Sequence, residues 1–323
     1  SGLGLPIVMT IGNRAIGAPI NIWNDHSDSM SMRDAGWIQL FAETNQEALD
    51  LHIQAFRLAE ELSCPVMVCM DGFILTHAVE RVDLPTQAQV DAYLPPFEPR
   101  QVLDPAEPVT IGAMVGPEAF TEVRYLAHHK QLKALTLIPQ LAAQFEAQFG
   151  RKSGGLIRPY RTEGAETIVV ALGSVNGTVQ EVVDEMRADG IAIGSVGIGS
   201  FRPFPLAALR EVLQEARRVV VLEKCLAVGL GGIVSDGVRK SLSGIQLKGY
   251  TVIAGLGGRA ITRTSLRQLF VDAGNDELEQ VTFLDLNAEV VANELEREAE
   301  ARRTGPTAES ILKRIGAVGS RIG

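Results

Sequence analysis

From residue 166 onward one pattern recurs: a short aliphatic run, a turn rich in glycine or proline, and an amphipathic helix. The aliphatic runs are Thr167–Leu172 (TIVVAL), Ile191–Ile198, Arg218–Leu222 and Tyr250–Ala254. Such continuous runs mark strands covered on both faces, and strand–helix alternation implies a parallel sheet. The intervening helices are placed over Thr178–Arg187, over Pro205–Ala216 after the turn Phe201-Arg202-Pro203-Phe204-Pro205, beyond the loop Gly229–Gly232, and from Thr264 onward. Val281–Leu284 adds a further strand. Residues 166–288 are therefore expected to form one α/β domain, and residues 289–323 a charged tail, helical to Arg303.

The first part of the chain carries the same signals in another order. Leu3–Thr10 (LGLPIVMT) reads as a buried parallel strand, and Pro65–Met70 (PVMVCM), ending at Asp71-Gly72-Phe73, as a second. Between them Ala48, Leu51, Ala55, Leu58 and Leu62 fall on one stripe of a helix over Gln46–Leu62. Residues 1–84 thus read as a second parallel-sheet domain. Because it opens directly on a strand, the domain is expected to have further sequence ahead of Ser1. Residues 85–165 read as connecting chain: a proline-rich stretch around Leu94–Pro99, a helix from Pro117 to Phe149 broken at Pro139, and a hinge over Gly150–Gly164. The fold expected is α/β, with two parallel-sheet domains.

Composition narrows the function. A formal charge of -9 offers no basic stripe to neutralise phosphates, which argues against a nucleic-acid partner. No apolar run approaches the roughly 20 residues of a membrane span, no signal peptide is read, and a cytoplasmic location is expected. The three cysteines, Cys64, Cys69 and Cys225, lack the companions that an iron–sulfur or zinc site requires and read as buried free thiols. None of the five histidines sits in a recognised metal spacing, so no metal site is expected. His52 and the pair His128-His129 read as structural or solvated. His77 follows a strand end, where parallel sheets tend to place ligands.

Two loops remain. Gly255-Leu256-Gly257-Gly258-Arg259-Ala260 matches a dinucleotide glycine pattern, yet no acidic residue at a strand end follows it, so a helix-packing turn is the main reading. The segment Gly12–Asp34 is the stronger candidate. Asn13 and Arg14 leave the first strand, and Asn24, Asp25, His26 and Asp28 follow. So many polar groups behind an apolar strand must be solvated, paired with one another, or turned to a ligand. Two readings of Arg14 stand level on chemistry alone: a salt bridge to Asp25 or Asp28, and a fork that holds a carboxylate.

Asn13-Arg14-Ala15-Ile16-Gly17-Ala18-Pro19, followed by Ile22-Trp23-Asn24-Asp25-His26-Ser27-Asp28-Ser29-Met30, resembles a segment of pyruvate:ferredoxin oxidoreductase α subunits. The resemblance continues through Arg33–Trp37, Asn45–Ala48, Asp71–Ile74 with Thr76-His77, Phe201–Pro205 and Gly255–Arg259, in the family's order. It implies that residues 1–84 are the second half of a thiamine-pyrimidine-binding domain, and residues 166–288 a transketolase C-terminal-like domain. It places Arg14 on the substrate carboxylate, Asn13, Asn24, Asp25, His26 and Asp28 in the active-site loop, and His77 behind it. The implied activity is oxidative decarboxylation of a 2-oxoacid, foremost pyruvate, to acyl-CoA and CO2.

The chain has neither the GDG…NN pair that binds metal and diphosphate in thiamine enzymes nor a cysteine set for clusters. The resemblance therefore implies partners: a β subunit carrying thiamine diphosphate with Mg²⁺, a ferredoxin-like subunit with iron–sulfur clusters, and a γ-type subunit. Ferredoxin or an NAD-reducing flavoprotein would accept the electrons, and coenzyme A the acyl group. An aromatic 2-oxoacid such as phenylglyoxylate, and a non-catalytic assembly role, are the alternatives.

Overall fold

The computed structural model describes residues 1–17, 19–299 and 306–317. In chain order it comprises β1 (Val8–Asn13), α1 (Ser27–Ser31), β2 (Ile38–Phe41), α2 (Asn45–Leu62), β3 (Val66–Asp71), α3 (Gln87–Tyr93) and α4 (Phe120–Phe149). There follow β4 (Ile157–Tyr160), β5 (Thr167–Ala171), α5 (Val175–Ala188), β6 (Ile193–Ile198), β7 (Ser200–Arg202) and α6 (Leu206–Leu213). Then come β8 (Arg218–Glu223), α7 (Val234–Ser241), β9 (Lys248–Ile253), α8 (Arg263–Gly274), β10 (Val281–Phe283), α9 (Ala288–Ala299) and α10 (Thr307–Arg314). The helix end expected at Arg303 lies outside the described residues, as does Ala18 of the loop motif.

The elements form two sheets. One has the order β1-β3-β2-β7, with β1, β3 and β2 parallel and β7 antiparallel to β2. The other has the order β10-β9-β8-β5-β6-β4, parallel except for β4 at its edge. This is the mixed α/β architecture expected. Its strands form where the aliphatic runs stand, because only residues covered on both faces gain from them: every residue of β5, β6 and β8 is buried.

Several local features differ from expectation. β1 starts at Val8, not Leu3, and lies at the sheet edge with β3 as its partner, leaving Ile7 and Met9 exposed. Its aliphatic composition marks a strand but not the neighbours on either side. β2 has four residues, all buried at the centre of the sheet, too short a run to stand out. α4 runs without a break through Pro139, which removes one amide donor while Ala134, Ile138, Leu141 and Phe145 keep the helix packed. The expected hinge at Gly150–Gly164 is tied down. Arg151 pairs with Asp50 at 2.6 Å, and β4 joins the second sheet ahead of residue 166.

α2 packs its stripe of Ala48, Leu51, Ala55, Leu58 and Leu62 on the first sheet and on α4. Thr44 caps it by accepting the Glu47 amide at 3.1 Å. Between the sheets the core is continuous. Met30, Phe41, Met67 and Cys69 from the first half pack with Ile168, Val170, Val196 and Phe201 from the second. The two sheets meet with the carboxyl ends of their strands toward a shared polar centre. Among the described residues no helix is long and apolar enough to cross a membrane.

Candidate functional site

Asp71, the last residue of β3, is the polar centre, buried to 1% exposure. Its Oδ1 accepts from Asn24 Nδ2 at 3.2 Å and lies 2.7 Å from His26 Nε2. Its Oδ2 accepts from the Ser174 amide at 3.0 Å, from the Ser174 hydroxyl, and from Lys224 Nζ at 3.1 Å. Burial works against the charge of Asp71. The His26 ring, the Lys224 ammonium and the Ser174 hydroxyl outweigh it and hold the carboxyl well below the usual range. Lys224 meets this centre a second time, since its carbonyl accepts the His26 amide at 2.8 Å.

Ser174 follows β5 and Lys224 follows β8, and those two strands are neighbours. The chain passes from β5 through α5 to β6 on one side, then returns to β8 on the other. The crevice between β5 and β8 is therefore the switch point, where open parallel sheets receive ligands. Here a side chain of the first sheet fills it.

The rest of the Gly12–Asp34 loop is held just as firmly. Asp28 accepts from Asn13 Nδ2 at 2.8 Å and from the Arg14 amide at 2.9 Å. Asp25 takes the Ser27 amide at 2.9 Å and the Gly257 amide at 3.1 Å, and the Gly257 carbonyl accepts from Asn21 Nδ2 at 3.1 Å. Asn24 donates to the Asn13 carbonyl at 3.3 Å as well as to Asp71. A Cβ at Gly258, whose φ is +83°, would collide with Cβ of Trp23. The glycine loop of the second sheet is a socket for Asn21 and Trp23, which accounts for its glycines without a nucleotide.

The structure thus divides the candidate residues. Asn24, Asp25 and His26 are buried and turn to Asp71 and the glycine loop, while the buried Asn13 side chain donates to Asp28 and Ser29. Arg14 is exposed, and its guanidinium makes no ion pair among the described residues. Asp28 and Asp25, the carboxylates that a structural bridge would have used, are spent on backbone amides and polar side chains. Beside Arg14's strand lies an outward aromatic row: Trp23 and Phe73 at 6.0 Å between ring centres, then Phe73 stacked on His77 at 4.2 Å. Phe73 holds a φ of 62°, a costly conformation for such a residue. His77 is exposed, bonded to Thr76 and part of the outer row. Ser174 and Lys224 carried no sequence signal; what gives them meaning is the crevice into which Asp71 reaches.

No group of three or more His, Cys, Asp or Glu able to hold a metal ion exists among the described residues. Among the described residues the donor set does not fit a metal–diphosphate site.

Two mainly parallel sheets, joined by a polar centre at the carboxyl ends of their strands with an exposed arginine beside it, define a protein of the α/β class. Comparison with known proteins gives the family. Residues 1–142 match the family described as "Pyruvate flavodoxin/ferredoxin oxidoreductase, thiamine diP-bdg", and residues 165–266 match "Pyruvate:ferredoxin oxidoreductase core domain II". The chain is 42% identical to "Pyruvate synthase subunit PorA" of Methanosarcina barkeri over 302 residues, covering 90% of this chain and 75% of that protein. It is 35% identical to "Ketoisovalerate oxidoreductase subunit VorA" of Pyrococcus horikoshii, covering 84% and 70%. Among solved structures, "2-oxoglutarate:ferredoxin oxidoreductase from Magnetococcus marinus" shares the fold, with a TM-score of 0.56, 17% identity, and 84% of this chain and 49% of that one covered. The chain belongs to the pyruvate:ferredoxin oxidoreductase family.

Proposed function

We propose that the chain is part of the α subunit of a thiamine-diphosphate-dependent complex that decarboxylates pyruvate oxidatively to acetyl-CoA, and that Arg14 binds the substrate carboxylate. Pyruvate is favoured among 2-oxoacids because relatives named for pyruvate synthase are 40–44% identical, against 35% for the ketoisovalerate relative. The observation that supports Arg14 is its environment. An exposed guanidinium, without an ion pair among the described residues, follows the carboxyl end of a parallel strand on a backbone pinned by Asp28 and Asn24. Such a planar fork matches a carboxylate in bidentate fashion.

The chain is proposed to share this work with other subunits. A β subunit is proposed to hold thiamine diphosphate with Mg²⁺, a ferredoxin-like subunit the iron–sulfur clusters, and a γ-type subunit to complete the assembly. When bound, thiamine diphosphate supplies the electron sink that lets a 2-oxoacid lose CO2. This chain's part is to orient the acid. Arg14 fixes the carboxylate, the Trp23–Phe73–His77 row offers an apolar wall to the cofactor-bearing partner, and the Asp71 centre keeps both at a fixed distance.

In the assembled complex Arg14→Ala is expected to lower kcat/KM for pyruvate about 30- to 1000-fold, the worth of about 2–4 kcal/mol for a charge-assisted contact in a partly desolvated cleft. Arg14→Lys should recover part of it. Thiamine content and assembly should stay as they are. Normal turnover efficiency in the alanine variant would remove Arg14 from the site, and failed assembly would make it structural.

A further inference from the structure

The loop that carries Arg14 belongs to the first sheet, yet what holds it comes from the second. His26, Asp71 and Lys224 close a ring drawn from three distant segments. The His26 amide donates to the Lys224 carbonyl at 2.8 Å, Lys224 Nζ donates to Asp71 Oδ2 at 3.1 Å, and Asp71 Oδ1 lies 2.7 Å from His26 Nε2. One path from that ring leads to the arginine, beside the Gly72 amide, which donates to the Asn13 carbonyl at 3.1 Å, and Asp28, which holds the Arg14 amide at 2.9 Å. Asn24 Nδ2 bridges Asp71 Oδ1 and the carbonyl of Asn13, and Asn13 is the residue before Arg14. All members of the path are buried, so water replaces a lost contact only if the structure opens to admit it.

We infer that Lys224 and Ser174, at the switch-point crevice of the second sheet, are positioning residues for Arg14, acting through Asp71 and Asn24. The inference rests on Arg14 as the carboxylate's partner. Asp71 needs both oxygens satisfied to hold Asn24 and His26 in place. Its Oδ2 is served by the Ser174 amide and hydroxyl and by the Lys224 ammonium. Removing the ammonium leaves a buried carboxylate short of a partner charge, and relief comes by rotation or by admitting water. Either movement displaces Asn24, and with it the backbone on which Arg14 stands. The second sheet is thereby a part of the substrate site's geometry through Ser174 and Lys224, whose own bonds go to Asp71.

The test uses the assembled complex, with KM measured separately for pyruvate and for coenzyme A. Lys224→Met keeps most of the side chain's length and removes its charge. A displacement of about 1 Å at a reacting geometry costs up to about 10²-fold, so kcat/KM for pyruvate should fall about 10- to 100-fold while KM for coenzyme A stays unchanged. In an Arg14→Ala background the same change should have almost no further effect, because the group being positioned is gone. Ser174→Ala, which leaves the amide bond to Asp71, serves should Lys224→Met fail to assemble; it should show a smaller loss with the same selectivity and the same dependence on Arg14. Losses that fall equally on both substrates, or that multiply with the loss from Arg14→Ala, would make both residues merely structural and overturn the inference. A damaged Arg14→Ala complex beside unimpaired Lys224→Met and Ser174→Ala refutes positioning alone, whereas a fully active Arg14→Ala complex sinks the reading of Arg14 and this inference with it.

Discussion

Glu43→Gln should make the subunit more stable at alkaline pH and leave it unchanged in acid. Glu43 follows β2 and packs against Gly197 of β6, where any Cβ would collide with its carboxylate. Arg158 is shared: Nη1 reaches Glu43 at 3.3 Å, while Nη2 is bonded more closely to Glu47. Burial raises the Glu43 pKa, the Arg158 charge opposes that rise, the Glu47 carboxylate adds to it, and the outcome is about 7. In the unfolded chain the same carboxyl ionises near about 4.3. Between those two values the folded chain holds a proton that the unfolded chain has lost, so stability falls as pH climbs through the window. At about 1.4 kcal/mol per tenfold change in acid constant, the difference reaches about 3–4 kcal/mol above about pH 8. A neutral amide keeps the acceptor for Arg158 and escapes this cost. Urea unfolding of the natural and Glu43→Gln subunits, from about pH 4.5 to about pH 8.5, should give curves that coincide in acid and separate by about 3 kcal/mol in base. A difference that does not vary with pH, or a natural subunit that is the more stable at about pH 8, would refute the reasoning.

Gly258→Ala should destabilise the fold by about 2–4 kcal/mol, because it adds left-handed strain to a collision with Trp23, and it should weaken turnover by loosening the loop that follows Arg14; thermal unfolding and kcat/KM for pyruvate check both effects, and an unchanged melting point would contradict the socket. Tyr93→Phe removes the hydroxyl that donates to the Leu141 carbonyl at 3.0 Å, joining α3 to α4, and should cost about 1 kcal/mol in urea unfolding with activity unaffected.

How far the sequence reached depends on whether a residue's partner was near it. α2 and the strands β5, β6, β8 and β9 were legible because periodicity and aliphatic runs report burial within one segment. β2, β4 and β7 were not, since each is four residues or fewer and is made a strand by a neighbour from elsewhere in the chain. β4 even contains a proline, Pro159, which an edge position tolerates. In the site, Gly12–Asp34 stood out through its polar residues behind an apolar strand. Which of them turn inward was hidden, because Asp25 meets Gly257 across 232 positions and Asp71 meets Lys224 across 153. The glycine loop showed the same limit from the other side: its pattern announced a close approach, and only the structure supplies Trp23 as what approaches.

β7 carries a consequence for how the chain is made. This strand of three residues, emerging from β6, closes the free edge of β2 through the pairings Gln39 with Arg202 and Leu40 with Ser200. At a synthesis rate of about 5–20 residues per second, the edge of β2 waits on the order of 8–30 s after leaving the ribosome before its partner exists. Throughout that interval Phe41, Met67 and Cys69 lack the aliphatic neighbours that β5 and β6 later bring. An unpaired strand edge beside uncovered apolar side chains invites association with other nascent chains. The first sheet cannot be finished as an early, independent folding unit. It matures only when the second sheet docks on it, so residues 38–41 stay open at one edge until residues 200–202 have been made.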